Sequence, residues 1–242
     1  MQPVVLVFFY GLLTALATGL GALPFVFFKV VSPKGVAYSN AIASGLMLGA
    51  CFGLTVEGTQ HGIWPTIIGA NLGILFVLTT EHWLKRYDQQ LGSQPDGGSR
   101  RMFLMIVVMT VHSFSEGVAV GASFAGGMTF AVLITLAIAV HNVPEGLAIS
   151  AVLRPRGKSV SACAGWSIFS SLPQPLMAVP AYLFVDHFKG ALPYGIGFAA
   201  GAMVLMVFLE LLPEAYGKAP KRYVALLVSL SLAAMILFQR FL

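Results

Sequence analysis

Charged side chains are scarce in this chain. Asp, Glu, Lys and Arg make up 10% of the 242 residues, whereas apolar residues make up 57% and the mean hydropathy is +0.85. A soluble globular domain is about 25% charged, so the composition excludes a soluble domain of useful size. We therefore predict one integral membrane domain over residues 1–242, surrounded by the lipid bilayer.

Cysteine and histidine are also few, which limits the chemistry that the chain can carry. Cys51 and Cys163 fall in separate apolar runs without a CxxC motif, so we interpret them as small packing residues. An intramembrane zinc hydrolase needs three protein ligands, an open water position and a general base, but the sequence has no HExxH motif. The five histidines are too few for a di-iron membrane oxygenase. The sequence therefore disfavours an enzyme.

The basic character of the chain does not indicate nucleic-acid binding. The net charge is +5 and the pI is about 9.4, but the basic residues lie in short segments between apolar runs. A nucleic-acid surface needs them clustered in a patch. We predict no nucleic-acid partner.

Eight apolar runs long enough to cross a bilayer are separated by short polar segments. The predicted spans are 4–28, 36–57, 62–84, 102–124, 128–153, 159–184, 190–212 and 221–241. The sizeable linker is a polar loop over 85–101. No basic segment precedes the first span, so we predict a retained helix rather than a cleaved signal. The expected fold class is all-α with eight transmembrane helices.

The basic residues fall almost entirely on one side of this arrangement. Twelve of the 14 Lys and Arg lie in the first, third, fifth and seventh loops, and only Lys189 and Arg240 lie elsewhere. In membrane proteins the cytoplasmic loops carry the excess of Lys and Arg. We therefore predict that these odd-numbered loops are cytoplasmic and that both termini are extracytoplasmic.

Two matched segments place ionisable residues in the middle of spans. His112 and Glu116 lie in VHSFSEGVAVG, and His141 and Glu145 lie 29 residues later in VHNVPEGLAIS. Residues four apart share one face of a helix, and an ionisable residue at bilayer depth costs at least about 2.5–3.5 kcal/mol. Two imidazoles and two carboxylates suit a divalent transition metal. These segments therefore predict a metal site inside the membrane.

The two segments are expected to meet near mid-membrane, because consecutive spans run antiparallel. Polar groups that converge there are typical of ion transporters. Pro144 also removes one helical N–H, and the carbonyl freed near residue 140 needs a partner or a water-lined cavity. The alternative is a scaffold or receptor that uses the four groups as interhelical contacts, which would be a costly use of ionisable residues.

Polar residues at span ends give weaker signals. Four of them are candidates for residues that bind the cation as it enters or leaves: Glu57 and His61 at the outer end of the second span, and Glu81 and His82 at the inner end of the third. Charges at helix ends are commonly just solvated. The same interpretation applies to Glu210 and Glu214 at the cytoplasmic end of the seventh span.

Over nearly its whole length, the chain resembles the ZIP (Zrt/Irt-like) family of divalent metal transporters. HSFSEG and HNVPEG resemble the family's fourth and fifth spans, and their paired H-x-x-x-E-G pattern is specific. TALATGLGALP, SSLPQP and GFAAGAMVLMVFLELLPEA resemble the first, sixth and seventh spans. The resemblance implies a two-bundle fold, alternating access, and uptake of zinc toward the cytoplasm. Iron, manganese, cobalt and cadmium are alternative ions, and the metal is a substrate rather than a cofactor.

The resemblance also assigns residues to metal sites. The implied primary site consists of His112, Glu116, His141 and Glu145. Met47 matches a residue that the family places beside this site. Many relatives hold a second metal through an Asn after the first His and a Glu before the Pro of the sixth span. This chain has Ser113 and Gln174 at those positions, although Asn142 still matches, so we expect one strongly bound dication.

The sequence thus favours transport over catalysis and over a scaffold. Without a retention or transit motif, the plasma membrane is the predicted location, and an organelle membrane is the alternative. The oligomeric state is open, with a homodimer as one option.

The orientation is testable by labelling. In a chain without its native cysteines, a cysteine at Ser93 should react with an impermeant maleimide only after the membrane is permeabilised. A tag after Leu242 should be accessible from outside intact cells. The reverse pattern of accessibility would mean that the span count or the orientation is wrong.

Overall fold

A computed structural model describes residues 3–28, 30–90 and 97–241 of the chain. Within these ranges, eight helical segments are long and apolar enough to cross a membrane. This confirms the predicted all-α membrane fold, whereas the location of the termini stays a prediction. The helices are α1 (Pro3–Leu20), α2 (Pro24–Phe27), α3 (Pro33–His61), α4 (Ile63–Gln90), α5 (Gly97–Gly126), α6 (Met128–Leu153), α7 (Val160–Ser170), α8 (Pro173–His187), α9 (Leu192–Met206), α10 (Leu212–Lys218) and α11 (Lys221–Phe241).

Several spans consist of more than one helical piece. The first combines α1 with α2, the sixth combines α7 with α8, and the seventh joins α9 to α10 through a π-helical turn, Val207–Leu211. Pro24, Pro173 and Pro213 each stand at the first or second position of the piece that follows. A proline is tolerated there because the N–H it lacks has no partner inside the helix.

Helices extend into both ends of the predicted loop over 85–101. α4 continues to Gln90 and α5 begins at Gly97. Lys, Arg and Gln are good helix formers, and residues 85–90 contain neither Pro nor Gly to end the helix. The centre of the predicted loop, residues 91–96, lies outside the described residues, as does Lys29 in the first loop.

The helices pack as two groups. α1, α5, α6, α7 and α8 form the first group, and α3, α4, α9, α10 and α11 form the second. The groups meet where α3 packs on α6 and where α5 packs on α9. Buried apolar side chains fill this boundary, among them Met47, Ile134, Ile138 and Met203.

Hydrogen bonds between side chains and neighbouring helices hold each group together internally. In the first group, the hydroxyl oxygens of Thr18 and Ser171 lie 2.8 Å apart. In the second group, Asn40 donates to Glu214 over 2.9 Å, and Gln239 donates to a backbone carbonyl of α3 over 3.0 Å. Polar contacts therefore stabilise the interior of each group, while buried apolar side chains fill most of the boundary between the groups.

Glycines allow close helix crossings inside each group. Between α4 and α9, a Cβ at Gly197 would overlap the carbonyl oxygen of Thr66. Between α1 and α6, a Cβ at Gly146 would overlap the carbonyl oxygen of Thr18. In membranes, helices associate largely through such close packing of small residues, because lipid tails are as apolar as leucine.

Large apolar side chains lie on the outside of the bundle. Phe27, Trp64 and Leu176 are 82%, 74% and 63% exposed, whereas Thr14 and Ser44 are fully buried. A protein in water favours the opposite distribution. In a bilayer it is expected, because exposed apolar groups contact lipid while polar groups find partners inside. The distribution supports the membrane assignment.

The glycine crossing between α4 and α9 gives a stability prediction. Gly197→Ala should lower the melting temperature of the purified protein in detergent, because overpacking typically costs about 1–3 kcal/mol. The matched control is Gly165→Ala on α7, where a Cβ would meet nothing within 4 Å. Equal melting of the two variants would contradict the prediction.

Candidate metal centre

The two His/Glu pairs meet between α5 and α6. His112 and Glu116 lie one turn apart on α5, and His141 and Glu145 lie one turn apart on α6. One nitrogen or oxygen atom from each residue lies within 4.8 Å of the other three, and each residue is at most 3% exposed. The structure therefore brings the four predicted ligands together in one buried cluster, the His/Glu cluster.

Distances inside the His/Glu cluster are close to those of a metal site. His141 Nε2 lies 2.6 Å from Glu116 Oε1, while His112 Nε2 lies 2.8 Å from Glu145 Oε1 and 3.6 Å from Glu116 Oε1. Ligand atoms around a tetrahedral Zn²⁺ stand about 3.3 Å apart, given metal–ligand distances of about 2.0–2.1 Å. Small shifts of these side chains would create room for such an ion.

The ring of His141 is held by the backbone. Its Nδ1 lies 3.0 Å from the carbonyl oxygen of Ala137, which can only accept a hydrogen bond, so Nδ1 carries a proton. In the neutral ring, the Nε2 lone pair then faces Glu116 Oε1 across 2.6 Å. Two acceptors at this distance need a proton or a metal ion between them. Metal-binding histidines are commonly oriented through their other nitrogen in this way.

Polar atoms of His112 and Glu145 lack hydrogen-bond partners. Within the described ranges, neither ring nitrogen of His112 nor Oε1 of Glu145 is hydrogen-bonded, although His112 Nε2 and Glu145 Oε1 lie close together. A buried polar group without a partner costs about 1–3 kcal/mol, and more if it is charged. A cation held by His112 Nε2 and Glu145 Oε1 would give both of these atoms a partner, so the donor set fits a divalent metal ion.

Two of the residues predicted for a second metal site form a hydrogen-bond chain instead. Gln174 Nε2 donates to Glu116 Oε2 over 2.5 Å, and Gln174 Oε1 accepts from Asn142 Nδ2 over 3.2 Å. Asn142 Nδ2 also donates to the carbonyl oxygen of Thr14 over 2.9 Å. Ser113 is buried on α5 but is not a member of this chain of bonds.

Met47 lies on the other side of the boundary between the helix groups. It is fully buried on α3, in an apolar cluster that includes Ile138 and Met203. The His/Glu cluster belongs to the first group, whereas Met47 belongs to the second. Its role as a ligand stays a prediction.

The four predicted path residues do not belong to the His/Glu cluster. His61 Nε2 lies 3.2 Å from Glu57 Oε1 at the end of α3, and Glu81 forms an ion pair with Lys85 on α4, 2.5 Å apart. Both pairs have the i, i+4 spacing that brings side chains together on a helix surface. His82 is exposed on α4.

Cavities extend from the His/Glu cluster toward the odd-numbered loops. A small cavity is lined by His112, Glu145 and Glu210. A larger one, of about 280 Å³, is lined both by Glu145 and by Lys218 at the end of α10. A third is lined by Glu210 and by Lys85 near the end of α4. Their lining residues run from His112 and Glu145 of the cluster to the ends of α4 and α10.

Apolar residues pack on the side of the even-numbered loops. Leu54, Ala122, Ile134 and Ile196 are buried in one hydrophobic cluster. They lie in the halves of α3, α5, α6 and α9 that adjoin the even-numbered loops. The path toward the odd-numbered loops is therefore the more open of the two in this conformation.

Glu210 lies closer to the His/Glu cluster than its place near the end of a span indicates. It shares a cavity with His112 and Glu145, and it falls within the π-helical turn of the seventh span. π-Helical turns often occur at functional sites. The available sequence signal was the motif LELLPEA, in which a carboxylate interrupts an apolar run shortly before a proline.

A family model described as ZIP zinc transporter matches residues 80–183 of the chain. These residues include the four members of the His/Glu cluster as well as Gln174 and Asn142. The match therefore covers the helices on which the cluster is built.

Three relatives extend the comparison over most of the chain. A protein of Arabidopsis thaliana named as a candidate zinc transporter is 44% identical over 230 residues, which are 93% of this chain and 37% of that protein. Zinc transporter GufA of Myxococcus xanthus is 32% identical over 221 residues, which are 85% of this chain and 87% of GufA. Zinc transporter ZupT of Corynebacterium glutamicum is 33% identical over 235 residues, which are 87% of this chain and 89% of ZupT.

The chain thus spans little more than a third of the Arabidopsis protein but most of the length of both bacterial transporters. With this identity and coverage, and with the family model lying across the helices of the His/Glu cluster, the chain belongs to the ZIP zinc transporter family.

Proposed function

We propose that this protein carries divalent transition-metal ions, zinc first, across the membrane and into the cytoplasm through the His/Glu cluster. The observation that carries the proposal is the convergence of two imidazoles and two carboxylates, all buried, within 4.8 Å of one another. Such a group at membrane depth is too costly for packing alone and marks ion pathways. The family assignment supports metal transport on independent grounds.

The charges of the site suit an ion in transit. Glu116 and Glu145 formally neutralise a dication, and neutral His112 and His141 complete a set of four ligands. The low dielectric around the site strengthens this compensation. Nitrogen and oxygen ligands also differ from the thiolate sets of structural zinc sites, which are closed and contribute to folding itself. The site can therefore bind a divalent metal ion and still release it.

Zinc is the proposed first substrate because the family model and both bacterial relatives are described as zinc transporters. Imidazole and carboxylate ligands also accept iron, manganese, cobalt and cadmium, so these ions are proposed as alternatives. On intrinsic affinity Zn²⁺ is favoured over Mn²⁺.

Two observations support movement of the ion toward the cytoplasm. The odd-numbered loops hold nearly all basic residues, which supports a cytoplasmic location for them. The cavities from Glu145 and Glu210 lead toward those same loops. We therefore interpret this conformation as open to the cytoplasm, with Glu210 as the first carboxylate on the way out.

The packing of the two helix groups supports alternating access. Polar contacts lie inside the groups, as between Thr18 and Ser171 or between Asn40 and Glu214, whereas apolar side chains fill most of the boundary. An apolar boundary has few directional bonds to break when one group moves against the other. The His/Glu cluster lies in the first group, so we propose that this group carries the ion between the two sides.

The central claim is testable with a ligand variant. Glu145→Ala should reduce zinc uptake into sealed vesicles to the background of empty vesicles, because it removes a ligand and a compensating charge together. His141→Ala should reduce uptake at least about tenfold, since even partners behind a metal ligand are typically worth 10–100-fold.

The matched control is Asp186→Ala. Asp186 is also acidic, but it is exposed at the end of α8 and pairs with Lys189. This variant should transport like the unchanged protein at equal membrane abundance. Near-normal zinc flux in Glu145→Ala would remove the central claim.

Acidification should weaken transport. Imidazole and carboxylate must be deprotonated to bind a metal, so protons and zinc compete for the same atoms. The zinc concentration for half-maximal uptake should rise as the pH falls from 7.5 to 5.5, with free Zn²⁺ buffered at each pH. A half-saturation that is constant over this range would contradict binding by these ligands.

A further inference from the structure

The two carboxylate oxygens of Glu116 have different partners. Oε1 faces the His/Glu cluster, 2.6 Å from His141 Nε2 and 3.6 Å from His112 Nε2. Oε2 instead accepts a hydrogen bond from Gln174 Nε2 over 2.5 Å. Glu116 and Gln174 are fully buried, so no water replaces this bond. One oxygen is therefore left for an ion while the other is already engaged.

The orientation of the Gln174 amide follows from its neighbours. The carbonyl oxygen of Thr14 can only accept, so the group of Asn142 that faces it is the Nδ2 amide. The second hydrogen of Nδ2 is directed to Gln174, which must present Oε1 to receive it. Gln174 then has only its Nε2 amide left to face Glu116. A backbone carbonyl of α1 thus fixes the direction of the whole hydrogen-bond chain.

The backbone also fixes the position of Gln174. It is the second residue of α8, directly after the break in the sixth span. A Cβ at Gly117 would lie 2.7 Å from the Gln174 carbonyl oxygen, and one at Gly11 would lie 2.7 Å from Pro175 Cα. The glycines let α1 and α5 approach the start of α8 closely, so the amide sits against the turn that carries Glu116.

We propose that Gln174, oriented by Asn142, is a positioning residue that holds Glu116 as a one-oxygen ligand and limits the His/Glu cluster to a single metal ion. The amide N–H supplies the positive partner that Oε2 needs at this depth, and it does so without a net charge. This inference rests on the proposed function, because it concerns the same site, but it is measurable by metal binding alone.

Zinc binding in detergent tests the role of Gln174. By equilibrium dialysis with elemental analysis, the unchanged protein should bind one Zn²⁺ per protomer. Gln174→Met keeps the length of the side chain and removes the donor, so it should bind one Zn²⁺ about tenfold or more weakly. Gln174→Glu places two carboxylates in contact, a pair that needs either a shared proton or a second cation. At pH 7.5 and saturating zinc we expect the cation to displace the proton, so this variant should bind two Zn²⁺.

Gln239 offers a matched control. It also donates from Nε2 to a partner on another helix, the carbonyl of Gly49, but in the second group. Gln239→Met should leave the zinc affinity and stoichiometry unchanged, whereas a general loss of helix packing would affect both methionine variants. If Gln174→Met does not fold, the stoichiometry of the nearly isosteric Gln174→Glu decides.

Two results would overturn the role of Gln174: two Zn²⁺ bound by the unchanged protein, or zinc affinity and stoichiometry in Gln174→Glu and Gln174→Met equal to those of the unchanged protein. Zinc flux into vesicles separates this outcome from a failure of the proposed function. Normal flux with unaltered binding in the variants would reject only the role of Gln174. Absent flux in the unchanged protein, with the expected binding pattern, would reject transport and leave that role in place.

Discussion

The burial of four ionisable side chains at membrane depth is the constraint on which much of this structure depends. Glu116 and Glu145 with His112 and His141 have too few hydrogen-bond donors among themselves, and the surrounding lipid offers none. Much of the nearby structure compensates for this deficit. A backbone carbonyl holds one imidazole, an amide holds one carboxylate oxygen, and the remaining ligand atoms lie close enough together to share a cation.

The fold places the whole cluster within the first helix group. The cluster and its hydrogen-bond partners come from α1, α5, α6 and α8, and glycines let these helices approach one another closely. The second group supplies an apolar wall, including Met47, and both groups line the cavities beside Glu210 and Glu145. All four members of the cluster thus lie within one helix group, so the proposed motion of that group would leave their mutual geometry intact.

The features that could be predicted from the sequence are those that depend on the spacing of neighbouring residues. Apolar runs gave the eight spans, and the i, i+4 pairs gave the four members of the cluster, because helical period and bilayer thickness act on neighbours in the chain. Features that depend on packing between helices far apart in the sequence could not be predicted in this way. The bond between Gln174 and Glu116 joins residues 58 positions apart. The place of Glu210 beside the cluster depends on a π-helical turn, and the extension of α4 to Gln90 depends on residues that are polar yet favour helix.

The location of all four ligands on α5 and α6 has an electrical consequence. A dication bound by two carboxylates and two neutral imidazoles has no net charge, and these ligands belong to a single group of helices. If that group moves with its ion, as proposed, the membrane potential does no work on the loaded site, because such work scales with the charge that crosses the field. Under that proposal, the voltage across the membrane acts on this site only in states in which its net charge is not zero, such as the empty site with both carboxylates ionised.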